Sequence, residues 1–323
     1  MQNTIQVVQK NKLRCNIEKT NQNSFFSLVD YRNNLFTSND PKKIIEFYNG
    51  FESRYQLIQW MMERPKGASC IHEVEGDKEI IVVIPTADFN GKYAMECREN
   101  IFKGLHIIFV ESGVRNYYFN YAHNCNVGIR KAMEYNPKWI VVSNDDMYRI
   151  DSVDLLLEAL SRLDNIDVVY TKPSLYHSVQ MKVAIPNVLF YMYYMSSSSK
   201  RTFLSLARYF SIKYFPVGNE KIKTIFFKRY IKYIDVQDFI VLSRNFVKIN
   251  EASIYDETFI NHGEDTDLSM RITIDKIKAT VINYKIGDCV GSTLGMGNDR
   301  KLRSIANLAY FTTKWDNKLH EKM

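Results

Sequence analysis

The sequence predicts an α/β protein: a mostly parallel sheet flanked by helices, with an N-terminal helical extension and a basic, aromatic helical insert. Three observations carry that prediction. Short β-branched runs recur after Gly76, namely "IIVVI" (80–84), "LHIIFV" (105–110), "WIVV" (139–142) and "IDVVY" (166–170). Continuous apolar runs of this length suit strands buried on both faces. Helix-like segments alternate with them at about 91–103, 121–134 and 152–163, which implies right-handed βαβ units. Finally, polar clusters follow the first three runs: "PTADFN" (85–90), "ESGV" (111–114) and "SNDDM" (143–147). The carboxyl edge of an open parallel sheet is where ligands bind.

Taken in order, residues 1–78 read as an accessory extension, Asn-rich at first. "PKKIIEFYNGFESRYQLIQWMMER" (41–64) then predicts one helix, with Pro41 near its start and Pro65 just beyond its end. Ile45, Tyr48, Phe51, Tyr55, Ile58 and Met62 recur at helical spacing, so this helix is expected to pack on the main domain. Residues 79–323 form that domain, with a first half at 79–173, the insert at 181–234 and a second half at 235–323. In the second half "FIVL" (239–242) and "ATVINY" (279–284) read as strands. The closing helix "DRKLRSIANLAYFTTKW" places Leu302, Ile305, Ala306, Ala309 and Tyr310 on one face.

A chain of 323 residues with 46% hydrophobic content can bury a sizeable core. Cys15, Cys70, Cys97, Cys125 and Cys289 are scattered, odd in number and without a C-x-x-C pair. That spacing argues against a disulfide framework or zinc ribbon and for a reducing compartment. No secretory signal is legible, and no run reaches the roughly 18 apolar residues of a spanning helix. A cytoplasmic protein, at most peripheral to a membrane, is expected. No G-x-G-x-x-G follows the first strand and no P-loop motif occurs, which weakens the dinucleotide and P-loop readings.

The net charge of +7 belongs to one segment: residues 181–234 carry +9 and the remainder −2. Tyr, Phe and Met interleave there with Lys and Arg. The insert reads first as a subdomain with its own core and solvated lysines. The next reading is a helix pair on an anionic membrane surface, and nucleic-acid binding is the least favoured.

Asn144, Asp145 and Asp146 end a core strand. A turn or cap needs only one such residue, whereas two adjacent acids repel unless a cation relieves them, so metal binding is the favoured reading. Mg²⁺ takes one or two carboxylates and fills its shell with water and phosphate oxygens. In "GEDTDLSMRI" (263–272), Glu264, Asp265 and Asp267 suit the first turn of a helix, and Arg271 lies at ion-pair spacing from Asp267. That segment is equally a well-capped helix or a catalytic carboxylate.

The two clusters together resemble the inverting family 2 glycosyltransferases, which have the GT-A fold. The matching residues are "VVIPT" (82–86), "FVESG" (109–113), "NVGIRKA" (126–132), "VSNDDM" (142–147), "YDETFINHGEDTDLSMRI" (255–272) and a tail "VGS…RKLRSIANLAYF…KW". They span roughly residues 79–315 without most of the insert, and order and spacing make the likeness specific.

The resemblance implies a metal-dependent transfer of sugar from a nucleotide-sugar donor to a glycan, lipid-linked or protein acceptor, with Mg²⁺ or Mn²⁺ as cofactor. Residues 79–173 would be the nucleotide-sugar-binding half and 235–323 the acceptor and catalytic half. Thr86 and Glu111 match positions lining the base pocket, Asp145 the ribose contact and Asp146 the metal ligand. Ala87-Asp88 replace a frequent Tyr-Asn, Glu111 replaces the more usual Asp, and Asn144 stands where many members carry another acid. Asp265 matches the general base, and Glu264 and Arg271 join the donor-binding set. A late His ligand of the family is replaced by Asp288, which is either a metal ligand or a turn residue before Gly291. His262 is a wall or structural residue. Two other readings stay open: a nucleotidyltransferase, and a non-catalytic protein that uses its basic insert to bind membrane or nucleic acid.

Overall fold

A computed structural model of the chain describes residues 28–114, 116–172, 181–184, 197–218, 230–234, 238–289 and 298–322. The central sheet has seven strands: β1 (Cys70–Val74), β2 (Asp77–Thr86), β3 (Leu105–Glu111), β4 (Trp139–Ser143), β6 (Val168–Thr171), β10 (Phe239–Ser243) and β11 (Ala279–Ile282). Their order is β1-β3-β2-β4-β10-β6-β11. Five of them run one way; β1 and β10 run against them. The architecture is therefore mixed α/β with a mostly parallel sheet, as the alternating runs predict, although strand β1 and the reversed direction of β10 were not anticipated.

Side chains alternate between two buried faces because both sides of the sheet are covered. Ile80, Val82, Ile84, Ile107, Phe109 and Val141 face one core, beside α4 (Lys92–Glu96) and α6 (Val153–Ser161). Ile81, Val83, Ile108, Val110, Ile140 and Val142 face the other, under α5 (Tyr121–Met133) and α8 (Arg244–Ile249). Asn120 caps α5 by accepting from the His123 amide, and Arg130 and Lys131 suit its C-terminal end. Gly128 lets α5 approach closely: a Cβ there would lie 2.3 Å from Val83 Cγ1.

Several expectations need correction. The single helix over 41–64 is two, α2 (Pro41–Asn49) and α3 (Arg54–Glu63), preceded by α1 (Leu28–Phe36). Gly50 closes α2, and Ser53 starts α3 by accepting from the Gln56 amide, so local capping outweighs the continuous apolar spacing. The helix expected over 91–103 is α4 continued by a π-helical turn at Cys97–Ile101. The boundary at 78 falls inside β2, and β1 pairs with β3, so part of the expected extension belongs to the sheet. Cys70 is disulfide-bonded, against the expectation from cysteine spacing. Pairing depends on proximity in space, which sequence separation does not report.

The insert is not purely helical. Its described residues form α7 (Ser197–Tyr209) and a small antiparallel sheet of β7 (Met181–Ala184), β8 (Phe215–Gly218) and β9 (Tyr230–Tyr233). Its remaining residues, with much of the aromatic and cationic pattern, lie outside the described residues. Phe203, Leu206 and Phe210 pack with α2, α3 and α10 (Asn298–Lys322) in one cluster. Phe36, Phe47, Phe51 and Trp60 form its centre, with Phe47 and Trp60 ring centroids 4.7 Å apart. The buried Tyr48 hydroxyl donates to the Leu302 carbonyl at 2.7 Å. The N-terminal helices thus dock on the closing helix as expected, but not by the expected face. Tyr48 and Phe51 pack, whereas Tyr55 and Met62 are exposed and Leu57, Trp60 and Met61 take their place, because the chain breaks into two helices at Gly50. Among the described residues no helix is long and apolar enough to cross a membrane.

Candidate active site

The strand order reverses at β2: its neighbours β3 and β4 lie on opposite sides. The loops after β2 and β4 therefore leave neighbouring strands at the carboxyl edge, the usual ligand position in such sheets. Thr86 ends β2, and its hydroxyl donates to Asp145 Oδ2 at 2.7 Å, tying the two loops together. Burial, helped by the Asp146 charge and opposed by the Thr86 bond, leaves the Asp145 carboxyl raised to about 6.

Two pairings bring distant acids to the same edge. Short strands β5 (Met147–Arg149) and β12 (Ile286–Asp288) pair antiparallel, with Asp288 opposite Met147. The Cys289 amide donates to the Asp146 carbonyl at 2.9 Å, so Asp146 and Asp288 are held side by side. The reversed strand β10 has Phe239 opposite Ser143. Running against β4, it delivers its amino end, Asp238, to the carboxyl edge of the parallel strands. Sequence reasoning missed Asp238. The signal was an acid directly before "FIVL", legible as a site residue only once the strand direction is known.

Asp238 is the focus of the charge. Burial first, then the charges of Asp288, Asp265 and Asp146, together raise its carboxyl to about 8. The interaction between the two side chains raises the Asp238 carboxyl and lowers that of Asp288. Burial also raises the Asp288 carboxyl, with Asp238 opposing it and the Asp146 charge adding to it. Asp288 Oδ1 is buried and has no hydrogen-bond partner. Asn144, next to these acids, accepts from the Tyr121 hydroxyl at 2.8 Å and donates to Asp238 Oδ1 at 2.7 Å.

Asp265 reaches this edge at the start of α9 (Glu264–Ile274). Gly263 precedes the helix at φ +92, a left-handed conformation that favours glycine. A polar scaffold holds the approach to it. Asn120 donates to the Glu257 and Phe259 carbonyls, Asn126 to the Tyr255 carbonyl, and Asn307 to the Ile260 carbonyl at 3.1 Å. Asp265 is half-buried, whereas Glu264 is buried with Oε2 unpartnered. Burial, with the Asp265 charge next, pushes the Glu264 carboxyl up to about 8, so it is neutral at pH 7. Burial holds the His262 imidazole below its ordinary range, opposed by Asp265, and this residue lies beside the acids as expected.

Other site candidates take different partners. Glu111 ends β3; its Oε2 lies 2.7 Å from His72 Nε2, and its Oε1 accepts from the Phe89 amide at 3.2 Å. The His72 ring stacks on Phe89 at 4.4 Å and 6°, and the Arg98 guanidinium sits 4.6 Å from the Phe89 centroid. His72 was missed because it lies on the unanticipated strand β1. Arg271 makes none of these contacts and donates instead to the Ile254 carbonyl at 2.8 Å. Nor does it form the expected ion pair with Asp267. Lys314 and Trp315 of α10 take that carboxylate at 2.8 Å each, because the closing helix crosses α9 there.

Among the described residues no three His, Cys, Asp or Glu side chains form a ready-made metal cage. A hard cation does not need one, since phosphate oxygens and water complete its shell. The oxygen donors of Asp146 and Asp288, and above all the orphaned, buried Asp288 Oδ1, fit such an ion. No protein-family model matches the chain, and no curated protein sequence matches it.

Proposed function

We propose that the chain is a metal-dependent, inverting glycosyltransferase with the GT-A fold, similar to family 2. It would move a sugar from a nucleotide-activated donor to an acceptor hydroxyl. One observation carries the reading: Asp146, Asp265 and Asp288, from three separate segments, all bear on Asp238 at the carboxyl edge of the sheet. A scaffold protein gains nothing from gathering that much negative charge, and each buried carboxylate costs several kcal/mol unless it is compensated.

Asp146 and Asp288 would hold Mg²⁺ or Mn²⁺, which when bound offsets the charge of the departing diphosphate. Asp145, fixed by the Thr86 hydroxyl, orients toward the ribose. The half-buried Asp265 takes the proton from the acceptor hydroxyl as that oxygen attacks the anomeric carbon. The bond from the anomeric carbon to the diphosphate oxygen breaks from the opposite face, so configuration inverts and no covalent enzyme intermediate is needed. Glu264, kept neutral by burial, donates a hydrogen bond instead of repelling the donor phosphates.

The test is release of nucleoside diphosphate from a panel of nucleotide-sugars with Mn²⁺ or Mg²⁺. Asp265→Asn should keep metal-dependent donor binding and lose transfer by about 10²–10⁴-fold, the usual worth of a general base. Asp146→Ala should weaken donor binding itself. Full transfer by the Asp265 variant would remove the proposed base, and pyrophosphate as the product would move the protein to the nucleotidyltransferases.

A further inference from the structure

Arg64 closes α3 almost wholly out of water, 2% exposed, and among the described residues no carboxylate stands within ion-pair distance of it. A buried cation without a counter-ion is costly, so its hydrogen bonds are the reason to look further. We propose that Arg64 is a positioning residue: through residues 117–121 it braces the turn that leads to Asp265, which gives the N-terminal helices a part in the transfer. The inference rests on the glycosyltransferase reading for the role of Asp265.

The guanidinium gathers three successive carbonyls. Nη2 donates to the Tyr117 carbonyl and Nη1 to those of Tyr118 and Phe119, each at 3.4 Å. Nε donates to Asn33 Oδ1 of α1 at 2.7 Å, and Asn33 Nδ2 donates in turn to the Tyr117 carbonyl at 2.9 Å. A planar fork with five donors serves this many acceptors at once, whereas an ammonium is a point charge with three.

The same segment grips the turn before α9. Asn261 Nδ2 donates to the Phe119 carbonyl at 3.2 Å, and Asn261 Oδ1 accepts from the Tyr121 amide at 2.9 Å. Asn120 Nδ2 donates to the Glu257 and Phe259 carbonyls at 3.0 Å each. The Phe119 carbonyl is therefore shared between Arg64 and Asn261, which makes the path continuous. Asn261 at φ +54 and Gly263 at φ +92 are both left-handed, and they lead into α9, where Asp265 stands. A non-glycine residue keeps that conformation where its surroundings over-determine it, and here both ends of the Asn261 amide are fixed. Loosening this turn shifts the base against the acceptor oxygen and leaves the donor contacts of Thr86, Asp145 and Asp146 in place. A misplacement of about 1 Å costs about 10²-fold in rate.

The experiment compares wild type, Arg64→Met, Arg64→Lys and Asn261→Gly; glycine keeps the left-handed backbone and loses only the side chain. Hydrogen–deuterium exchange of the full chain reads the brace without any substrate. Arg64→Met should speed exchange over 257–263 by about 5–10-fold, the worth of one hydrogen bond, and leave β2, β3 and β4 protected. Arg64→Lys, which keeps the charge but not the fork, should fall between Arg64→Met and wild type. Transfer from the nucleotide-sugar that wild type uses reads the consequence. In Arg64→Met and in Asn261→Gly kcat should fall about 10–100-fold with donor KM within about 2-fold. The double variant should lose no more than the worse single one, because both act through one path. If Arg64→Met does not fold, Arg64→Lys and Asn261→Gly carry the same comparisons. Wild-type exchange over 257–263 in the Arg64 variants would overturn the brace. A rise in donor KM that matches the fall in kcat, or fully additive losses in the double variant, would overturn the positioning role. If wild type transfers no sugar from any donor, the glycosyltransferase reading falls, and the exchange data still decide whether Arg64 holds the turn.

Discussion

Lys314→Met should destabilise the protein by about 3–4 kcal/mol at pH 8, mostly through one buried carboxylate. Lys314 Nζ lies 2.6 Å from Asp256 Oδ2 and 2.8 Å from Asp267 Oδ2, joining α10 to α9 and the loop before it. The side chain of Asp267 is 5% exposed and that of Asp256 22%. Methionine keeps an apolar stem near the Phe259 and Tyr310 rings and removes only the charge. Asp256 retains the Tyr310 hydroxyl at 2.7 Å, the Thr258 amide and some solvent, so its loss is about 0.5–1 kcal/mol. Asp267 retains only the Trp315 indole at 2.8 Å. Stripping a buried ion of its partner costs about 3–5 kcal/mol, and the partial exposure of Lys314 selects the low end.

The pH dependence follows from the same contacts. Burial already raises the Asp267 carboxyl in the wild type, with Lys314 and Trp315 opposing it. Without Lys314 the folded-state value rises further above the unfolded value of about 4, so the folded variant holds a proton the unfolded chain releases. The cost is then full above the raised value and shrinks as pH falls toward about 4. Urea unfolding at pH 5 and pH 8 measures it. A cost below about 1 kcal/mol at pH 8, or one equal at both pH values, would refute the reasoning. Asp267→Asn combined with Lys314→Met should recover much of the loss, since neither partner is then a lone buried charge.

Two further predictions concern the sheet and its acid edge. A Cβ at Gly76 would lie 2.3 Å from the backbone of Leu105, so Gly76→Ala should cost about 1–3 kcal/mol in urea unfolding; a neutral result would mean that the turn moves freely. Folded-state values are raised for Asp145 to about 6 and for Asp238 and Glu264 to about 8. These groups cost nothing below about pH 4 and their full amount above about 8, so stability in EDTA should fall between pH 5.5 and 8.5; a rise across that range would contradict the burial assigned to them.

What the sequence alone determined was local. Strands β2, β3 and β4 were legible because burial on both faces leaves unbroken β-branched runs, and α5 and the closing helix because their apolar positions repeat at helical spacing. Thr86, Asp145, Asp146 and Asp265 could be nominated because each sits at the end of such an element. Direction and pairing were decided only by the tertiary structure. Nothing in "FIVL" states that β10 runs against β4, yet that reversal alone brings Asp238 to the acids. His72 likewise acts on Glu111 only because β1 adds to the edge of the sheet, and Asp267 chose Lys314 over Arg271 because α10 crosses α9. Local propensity is written over a few residues, whereas strand direction, charge state and partner choice arise from burial among segments far apart in the chain.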